Sequence, residues 1–307
     1  MIKRKTNWEE RVSVQILTRQ RHPYLATLLT SLRNQTFKNW DLIILDNNDA
    51  GMEIAHNHLI YSILDKIKYE KHKVILVKGV PEIQKNIGLS RNGIINIDKN
   101  PIGCRIDDDS ILEPEYLQKL HDVLTGKVIP GFSWEGKIAA VGGVVPPYQG
   151  PKIMCYPPAI FNQIKKEEVP KKWLELGTRL NIDGFKEGED YYNIGDPIDD
   201  GGMCYPTDTI VDSDHLRSSF MYWNDIIKEV GGHPSSDDTG FREETILSLK
   251  LRDKGYNLFT NTGAIAWHLW APNLGRGTDP KEHQTKIFNN ELRFQRDHRE
   301  LLRRLVR

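Results

Sequence analysis

The amino-acid sequence predicts an α/β protein with a mostly parallel central sheet flanked by helices. Two observations lead to this prediction. Short runs rich in Val, Ile and Leu alternate with stretches of helical periodicity through residues 12–106, which is the pattern of βαβ units. Polar clusters follow several of these runs directly. Ligands bind outside the carboxyl ends of the strands in open α/β sheets, so the same pattern indicates where a functional site is expected.

The first half of the chain predicts four strands. The first strand is predicted over residues 12–17, and leucines at helical spacing behind it predict a helix that begins near Pro23. The three later apolar runs lie at residues 42–45, 74–77 and 103–106. Isoleucines over residues 83–95 predict a helix after the third run. The polar segments after the first, second and fourth runs are therefore expected at one edge of the sheet.

The second half predicts one more strand, then an irregular segment, then a return to regular structure. Residues 138–145 predict the strand. Residues 146–206 are rich in Pro, Gly, Tyr and Asp and show little periodicity, which is typical of a lid or binding loop. The later predicted elements are a strand at 219–223, helices at 224–230 and 243–254, and strands near 258–259 and 264–267. Gly255 is expected to end the second of these helices as a C-cap.

Composition excludes several classes of protein. The chain has 307 residues with 42 basic and 42 acidic side chains, so its zero net charge argues against general nucleic-acid binding. It has no apolar run long enough to form a membrane-spanning helix. The basic N-terminus has no apolar stretch behind it, so no secretory signal is expected and a cytoplasmic location is predicted. Three scattered cysteines predict neither a disulfide framework nor a zinc site.

The C-terminal segment, residues 281–307, is basic, with eight Lys and Arg against four acids. Apolar side chains at helical spacing predict an amphipathic helix. Two interpretations stay open for it. The helix packs on the core with a solvated basic face, or it makes a peripheral contact with nucleic acid or with anionic lipid at the inner face of a membrane.

An acidic triplet, Asp107-Asp108-Asp109, follows the fourth strand directly. Three adjacent carboxylates repel one another, so a folded chain keeps them together where something compensates their charge. A hard divalent cation such as Mg²⁺ or Mn²⁺ is a common partner, and it often shares its ligands with substrate phosphates. The alternative is a solvated acidic turn that caps a helix beginning near Pro114.

Two further segments carry groups suited to catalysis. Glu243 and Glu244 open an amphipathic helix. A carboxylate there is stabilised by the positive end of the helix, which suits a base that takes a proton from a hydroxyl. His268 lies between two tryptophans at the end of a strand, where it is either a structural histidine or a metal ligand.

These segments, in this order, resemble the family 2 glycosyltransferases, which have the GT-A (nucleotide-diphospho-sugar transferase) fold. The similar segments are residues 12–21, 31–40 with 42–47, 86–94, 106–110 with 113–117, 230–233, 242–245 with 255–256, and His268. The resemblance covers roughly residues 10–270 apart from the irregular segment. It implies a GT-A domain over residues 1–280, in which residues 10–110 form the nucleotide-binding half and residues 146–206 an acceptor-side insertion.

The resemblance implies that one group of residues binds the nucleotide sugar. Thr18, Arg19 and Asp46 would line the nucleotide pocket, with Asp46 accepting a hydrogen bond from the base. Arg91 would lie near the nucleotide or its diphosphate. By the same resemblance, the ribose and the sugar would lie beside Asp107 and Asp108.

The resemblance also implies metal ligands and a base. Asp109 would bind Mn²⁺ or Mg²⁺ through the diphosphate oxygens, and His268 would be a further ligand of the metal or of the diphosphate. The family's base is the second carboxylate of a Glu-Asp pair, which falls on Glu244 here, and the departure from Asp leaves Glu243 open as the base. The family often has Phe at the position of His233.

The implied function is metal-dependent, inverting transfer of a sugar from a nucleotide-diphosphate sugar to an acceptor hydroxyl. UDP-sugars are the commonest donors in the family, and the acceptor would be a glycan, a lipid-linked sugar or a protein, with nucleic acid a less favoured choice. Two alternatives stay open. A nucleotidyltransferase normally has a glycine-rich loop after the first strand, and residues 18–23 contain no glycine. The other is a non-catalytic nucleotide- or carbohydrate-binding relative.

Overall fold

The computed structural model describes most of the chain apart from one long central segment and the stretch before the C-terminal helix. The described residues are 10–84, 86–127, 132–146, 148, 209–216, 218–235, 242–269, 293–294 and 296–305. The predicted insertion, residues 146–206, therefore lies almost entirely outside the described residues, as do residues 270–292.

The described residues form strands and helices that alternate along the first half of the chain. The strands are β1 Val12–Thr18, β2 Trp40–Asp46, β3 Val74–Lys78, β4 Ile102–Asp107, β5 Ser110–Leu112, β6 Ile138–Val144, β7 Ile210–Asp212, β8 Phe220–Trp223 and β9 Asn257–His268. The helices are α1 His22–Arg33, α2 His58–Tyr69, α3 Pro81–Gln84, α4 Ile87–Ile97, α5 Tyr116–Leu124, α6 Asn224–Glu229, α7 Glu243–Asp253 and α8 Arg299–Leu305, with a 3₁₀ turn at Ile54–His56.

The strands form one mixed sheet in the order β3-β2-β1-β4-β8-β6-β9-β5, with β7 added beside β9. Strands β3, β2, β1 and β4 are mutually parallel. Strand β8 runs antiparallel to β4 and to β6, while β6 and β9 are parallel. The α/β fold class with a mostly parallel central sheet is confirmed.

The sheet is covered by helices on both faces because its central strands are apolar on both sides. Every residue of β2 is buried. Side chains alternate across a strand, so Leu42 and Ile44 pack in the main core with α1, α2 and α5. Ile43 and Leu45 instead pack with Ile94 of α4 on the opposite face. A strand buried on both faces has a continuous apolar run, which is the pattern by which it was predicted.

The structure adds three elements to those predicted, and it joins two predicted strands into one. Helix α2 buries Ile60, Leu64 and Ile67 at helical spacing. Strands β5 and β7 have three residues each and pair antiparallel with β9. Strand β9 is continuous through the polar residues 260–262, because these residues lie beside β6 and β7 in the sheet.

The helix predicted around residues 83–95 is divided into α3 and α4. The side chain of Asn86 accepts a hydrogen bond from Leu89 N, which caps the start of α4. Such a cap satisfies a backbone N–H that has no partner within the helix, and it therefore fixes a helix start at this position.

The C-terminal helix α8 packs against α7. Phe294 and Leu249 are buried together, and Leu301 and Leu305 pack against them. Within the part of the chain that the structure describes, no helix combines the length and the apolar character that crossing a membrane requires.

Candidate active site

The carboxyl ends of β1, β2 and β4 place polar side chains at one edge of the sheet. In the strand register, Thr18 lies beside Asp46, and Leu17 lies beside Asp107. Parallel strands end at the same edge, so residues far apart in sequence meet there. This edge is the ligand-binding position expected for an open α/β sheet.

The first two carboxylates of the acidic triplet contact different partners. Asp107 accepts a hydrogen bond of 2.8 Å from Nη2 of Arg91 and lies 3.7 Å from Nη2 of Arg105. Asp108 accepts from Thr18 Oγ1 at 2.6 Å. The partners of Asp107 lie on α4 and β4, whereas Thr18, one of the partners of Asp108, lies on β1.

Arg21 joins the other two carboxylates of the triplet. Its Nη1 lies 3.1 Å from Asp108 Oδ1 and 2.9 Å from Asp109 Oδ2. Burial raises the pKa of Asp108 to about 6, although the charge of Arg21 opposes this shift. The guanidinium groups therefore compensate part of the negative charge of the triplet. From the sequence, this compensation was expected from a divalent cation.

Asp109 and His268 are brought together by the pairing of β5 with β9. This pairing places Ser110 opposite His268, and Nε2 of His268 lies 3.3 Å from Asp109 Oδ2. Among the described residues, no group of three or more His, Cys, Asp or Glu side chains is placed to hold a metal ion. A carboxylate oxygen and an imidazole nitrogen at this separation nevertheless fit two adjacent positions of a six-coordinate divalent cation that takes its other ligands from phosphate and water.

Asp46 is buried and fixes the loop that follows β2. Its Oδ1 accepts from the backbone N–H of Asn48 at 3.0 Å, and its Oδ2 accepts from that of Ile54 at 2.7 Å. Arg19 pairs with Asp49 in the same loop at 3.2 Å. The predicted nucleotide-pocket residues thus lie together, and Asp46 also has a structural role that the sequence did not indicate.

The two glutamates open α7 as predicted, but they differ in exposure. The side chain of Glu243 is 2% exposed, whereas that of Glu244 is 21% exposed. Arg242, just before them, has a φ of 58°. This left-handed conformation is uncommon for a residue with a side chain, and it turns the chain sharply into the helix. Glu244 is therefore the more accessible member of the pair.

Arg105 contacts both glutamates. Its Nη2 lies 3.1 Å from Glu243 Oε1 and 3.0 Å from Glu244 Oε1. Burial tends to raise the pKa of Glu243, but Arg105 and His233 outweigh burial and hold the pKa low. Burial raises the pKa of Glu244 in spite of Arg105, and the charges of Glu243 and Asp107 add to the rise. The pair thus contains one firmly ionised carboxylate and one that can exchange a proton near neutral pH.

His233 lies against the buried glutamate. Its Nδ1 is 3.4 Å from Glu243 Oε2, and its ring is fully buried. Burial lowers the pKa of His233 to about 4, so the imidazole is neutral at physiological pH. The position at which the family often has Phe therefore holds a polar neighbour of the carboxylate pair.

The structure brings together most of the predicted site residues and adds two arginines to them. Arg21 and Arg105 were not among the predicted site residues. One signal for Arg105 was present, since it is the only charged residue before Asp107 in the otherwise apolar strand over residues 102–107. A charge in a buried strand requires a partner, and that requirement indicates a functional or structural ion pair.

The fold is that of solved glycosyltransferases of the GT-A class. A solved mannosyltransferase, PcManGT from Pyrobaculum calidifontis in complex with GDP-Man and Mn2+, matches 87% of the chain with a TM-score of 0.52 and 11% identity. TarS from S. aureus matches 93% with a TM-score of 0.51 and 11% identity. The matches cover 59% and 43% of those two chains. At such identities the likeness shows the fold alone.

A family model also matches part of the chain. The model described as glycosyl transferase family 2 matches residues 13–133, the part that contains β1 to α5 and the acidic triplet. This match supports the resemblance to family 2 glycosyltransferases over that part of the chain. No protein with a curated description matches the chain.

Proposed function

We propose that the protein is a metal-dependent, inverting glycosyltransferase that moves a sugar from a nucleotide-diphosphate sugar to an acceptor hydroxyl. The observation that carries this proposal is the position of Glu244. It is half-buried at the start of α7 and bonds to Arg105, which also faces the acidic triplet at 3.7 Å from Asp107. A candidate base and a candidate donor site thus lie on either side of one arginine.

The donor is bound by residues at the carboxyl edge of the sheet. Thr18, Arg19 and Asp46 line the nucleotide pocket, and the buried Arg91 orients Asp107 through a bond of 2.8 Å. Asp107 and Asp108 face the ribose and the sugar. Because these carboxylates are held by neighbouring side chains, little reorganisation is needed when the donor binds.

Asp109 and His268 would hold the divalent cation. When bound, Mn²⁺ or Mg²⁺ neutralises the charge that develops on the departing diphosphate. Arg21, at 2.9 Å from Asp109, adds a fixed positive charge at the same place. The leaving group is thereby stabilised by the chain's own guanidinium as well as by the cation.

Glu244 accepts the proton of the acceptor hydroxyl as that oxygen attacks the anomeric carbon. Attack from the face opposite the diphosphate inverts the anomeric configuration in a single displacement. Glu243 is too buried to meet an acceptor, since its side chain is 2% exposed. We therefore assign the base role to Glu244 and a supporting role to Glu243.

The class of donor and acceptor follows from the fold and the family. The solved mannosyltransferase was obtained with GDP-Man and Mn2+, and UDP-sugars are the donors that the family resemblance favours. Both nucleotides therefore belong in a donor panel. A glycan, free or lipid-linked, is the acceptor we favour, with a protein acceptor as the other choice.

A donor screen tests the proposed function. The melting temperature of the full chain is measured with UDP- and GDP-sugars, each with Mn²⁺, with Mg²⁺ or with a chelator. A ligand that binds the native state raises the melting temperature. We expect one nucleotide sugar to do so only with the metal, and to be hydrolysed slowly to the nucleoside diphosphate. Release of pyrophosphate from a nucleoside triphosphate and a sugar phosphate would contradict the proposal, and so would the absence of any metal-dependent shift.

A further inference from the structure

Arg105 is a charged residue at the centre of a buried strand. It lies in β4, its side chain is 1% exposed, and its neighbours Cys104 and Ile106 are fully buried. A buried charge without partners costs several kcal/mol. Among the described residues, Nε and Nη1 of Arg105 have no hydrogen-bond partner. The carboxylates around Nη2 are therefore what offsets its charge.

One atom of Arg105 faces carboxylates from two different elements. Its Nη2 lies 3.1 Å from Glu243 and 3.0 Å from Glu244, both at the start of α7, and 3.7 Å from Asp107 at the end of β4. The guanidinium also lies over the ring of Phe220, with Cζ 5.3 Å from the ring centre. The aromatic face supports the cation from β8, so its position is fixed by packing as well as by charge.

We propose that Arg105 is the positioning residue of the catalytic base: it pairs with Glu243 as a fixed counter-ion and orients the carboxylate of Glu244 towards the acceptor. This inference rests on the proposed function, in which Glu244 is the base. Arg105 itself touches neither the donor nor the acceptor in this assignment. It acts through the two glutamates.

The two glutamates differ in burial and in their neighbours. This difference explains how one cation can be the fixed counter-ion of Glu243 and also orient Glu244. Glu243 has a second neighbour, His233, and is buried. Glu244 has Arg105 as its ion-pair partner and keeps 21% of its side chain exposed. Two adjacent carboxylates without a cation between them would share a proton. An arginine does not lose its own proton in a protein, so the positive charge beside Glu244 is constant across the working pH range.

The charges around Glu244 predict the effect of removing Arg105. The groups that face it are Arg105 and Asp107 on β4 and Glu243 on its own helix, while His233 and Arg91 act on Glu243 from outside the helix. Only Arg105 among the three nearest groups favours the ionised form of Glu244. Its removal should therefore raise the pKa of Glu244 further.

The direct test is a titration of the Glu244 carboxyl group. Full-length protein is labelled with ¹³C at the glutamate carboxyls, and the Glu244 signal is assigned from its loss in Glu244→Gln. Loss of an opposite charge at this distance should raise the midpoint by about one pH unit or more in Arg105→Met. Arg105→Lys keeps the charge and should shift the midpoint less. An unmoved midpoint in Arg105→Met would overturn the inference.

A matched control removes another arginine–glutamate pair. Arg33 pairs with Glu70 and lies at the opposite end of α1 from Arg21. The helix has 12 residues, and at 1.5 Å per residue the two ends are about 18 Å apart. Arg33→Met should leave the Glu244 midpoint where it is in the wild type. A shift of equal size in this control would overturn the specific role of Arg105.

The rate profile separates positioning from a general structural role. With Mn²⁺ and either UDP-glucose or GDP-mannose, the acid limb of kcat for donor hydrolysis should move to higher pH in Arg105→Met, and KM for the donor should stay the same. If Arg105 has only a structural role, Arg105→Met should lower the rate at every pH and raise KM, and the acid limb of kcat should stay at the same pH. That pattern would overturn the inference.

A double variant distinguishes loss of the Arg105–Glu243 ion pair from a general loss of folding. Arg105→Met leaves Glu243 buried beside Glu244 without its cation. Arg105→Met/Glu243→Gln also removes the stranded negative charge and should melt at a higher temperature than Arg105→Met alone. A double variant that is no more stable would overturn the pairing of Arg105 with Glu243.

Failure of this inference is distinguishable from failure of the proposed function. Wild-type turnover in Glu244→Gln would overturn the assignment of the base, and with it the positioning role. A large loss in Glu244→Gln together with an unmoved midpoint in Arg105→Met would overturn the role of Arg105 alone. Both effects together support the two assignments.

Discussion

The side chain of Asn92 makes two hydrogen bonds with the backbone of His233. Its Nδ2 donates to the carbonyl oxygen at 2.9 Å, and its Oδ1 accepts from the N–H at 2.8 Å. Asn92 lies on α4 next to Arg91, which contacts Asp107, whereas His233 contacts Glu243 at the start of α7. This pair therefore fixes the distance between the two halves of the candidate site.

Gly88 is required for the same contact between α4 and the loop that carries His233. A Cβ atom at this position would lie 1.7 Å from the carbonyl oxygen of Pro234. Because that neighbour is backbone, Gly88→Ala should push the loop away and reduce the free energy of unfolding by roughly 1–3 kcal/mol. Urea denaturation measures this change.

The control for Gly88 is its neighbour on α4. Leu89 is exposed, so Leu89→Ala should change the free energy of unfolding by no more than about 0.5 kcal/mol. Equal stability of Gly88→Ala and the wild type would show that the loop moves freely away from α4.

Replacement of the base should affect rate more than binding. Glu244→Gln keeps the size of the side chain and removes its ability to take a proton, so kcat should fall by about 10²- to 10⁴-fold. KM for the donor should change little, because Glu244 does not contact the donor in the proposed function. Steady-state kinetics with the donor found in the screen measures both constants.

Glu243→Gln is the matched comparison. Glu243 is fully buried, pairs with Arg105 and lies 3.4 Å from His233. Its replacement should therefore lower stability, which thermal melting measures, and cost less in kcat than Glu244→Gln. Turnover of Glu244→Gln within tenfold of the wild type would move the base role elsewhere, and a larger loss in Glu243→Gln would move it to Glu243.

The activity should depend on the ionisation of Glu244. Burial raises the pKa of this carboxyl above the ordinary glutamate range, and Glu243 and Asp107 raise it further. A base works when it is deprotonated, so kcat should rise with pH through the pKa of Glu244 and be lost as pH falls below it. An unperturbed glutamate would place this limb near pH 4.3.

Measurement of kcat at a series of pH values from acid to neutral checks the direction of this pH dependence. In the wild type, the acid limb of kcat should lie at a pH well above the pKa of an unperturbed glutamate. In Glu244→Gln, the residual rate should show no such limb. A kcat that stays constant down to the unperturbed pKa would contradict the shift.

The metal site should depend on two side chains. Asp109 and His268 lie 3.3 Å apart and would supply the protein's own donors. Loss of an outer-shell partner alone costs about 10–100-fold in metal affinity, so Asp109→Asn and His268→Ala should each weaken Mn²⁺ binding at least that much. Electron paramagnetic resonance titration with UDP or GDP present measures free Mn²⁺ directly.

An exposed carboxylate on another surface provides the control for the metal variants. Asp65 on α2 is 52% exposed and pairs with Lys68, so Asp65→Asn should leave Mn²⁺ affinity unchanged. Wild-type affinity in both Asp109→Asn and His268→Ala would show that the cation is held by other groups.

The order of elements and the edge that holds the site were predictable because both follow from local pattern. Apolar runs such as residues 42–45 give strands buried on both faces, and alternation with helices gives parallel pairing. The start of α7 at Glu243 and its end before Gly255 also follow from local signals. Two of the elements that were not predicted, β5 and β7, are short and form only because β9 is there to pair with them. The third, α2, is a 12-residue helix whose buried Ile60, Leu64 and Ile67 are a local signal that was not used.

The acidic triplet shows where local pattern is insufficient. Its three adjacent carboxylates indicate a need for positive charge, but the sequence does not name the source. The structure supplies Arg21 from the start of α1 and Arg91 from α4. Ion pairs between residues many positions apart depend on the packing of several elements, which spacing along the chain does not reveal.

The sequence by itself determined the α/β fold, the acidic edge of the sheet and the pair of glutamates at a helix start, because apolar periodicity and helix-end chemistry are local properties. Only the tertiary structure decided which glutamate is accessible. It also placed Arg105 3.0 Å from Glu244, although the two are 139 residues apart in sequence. Long-range packing sets burial and charge neighbours, and these two factors determine how a carboxylate behaves.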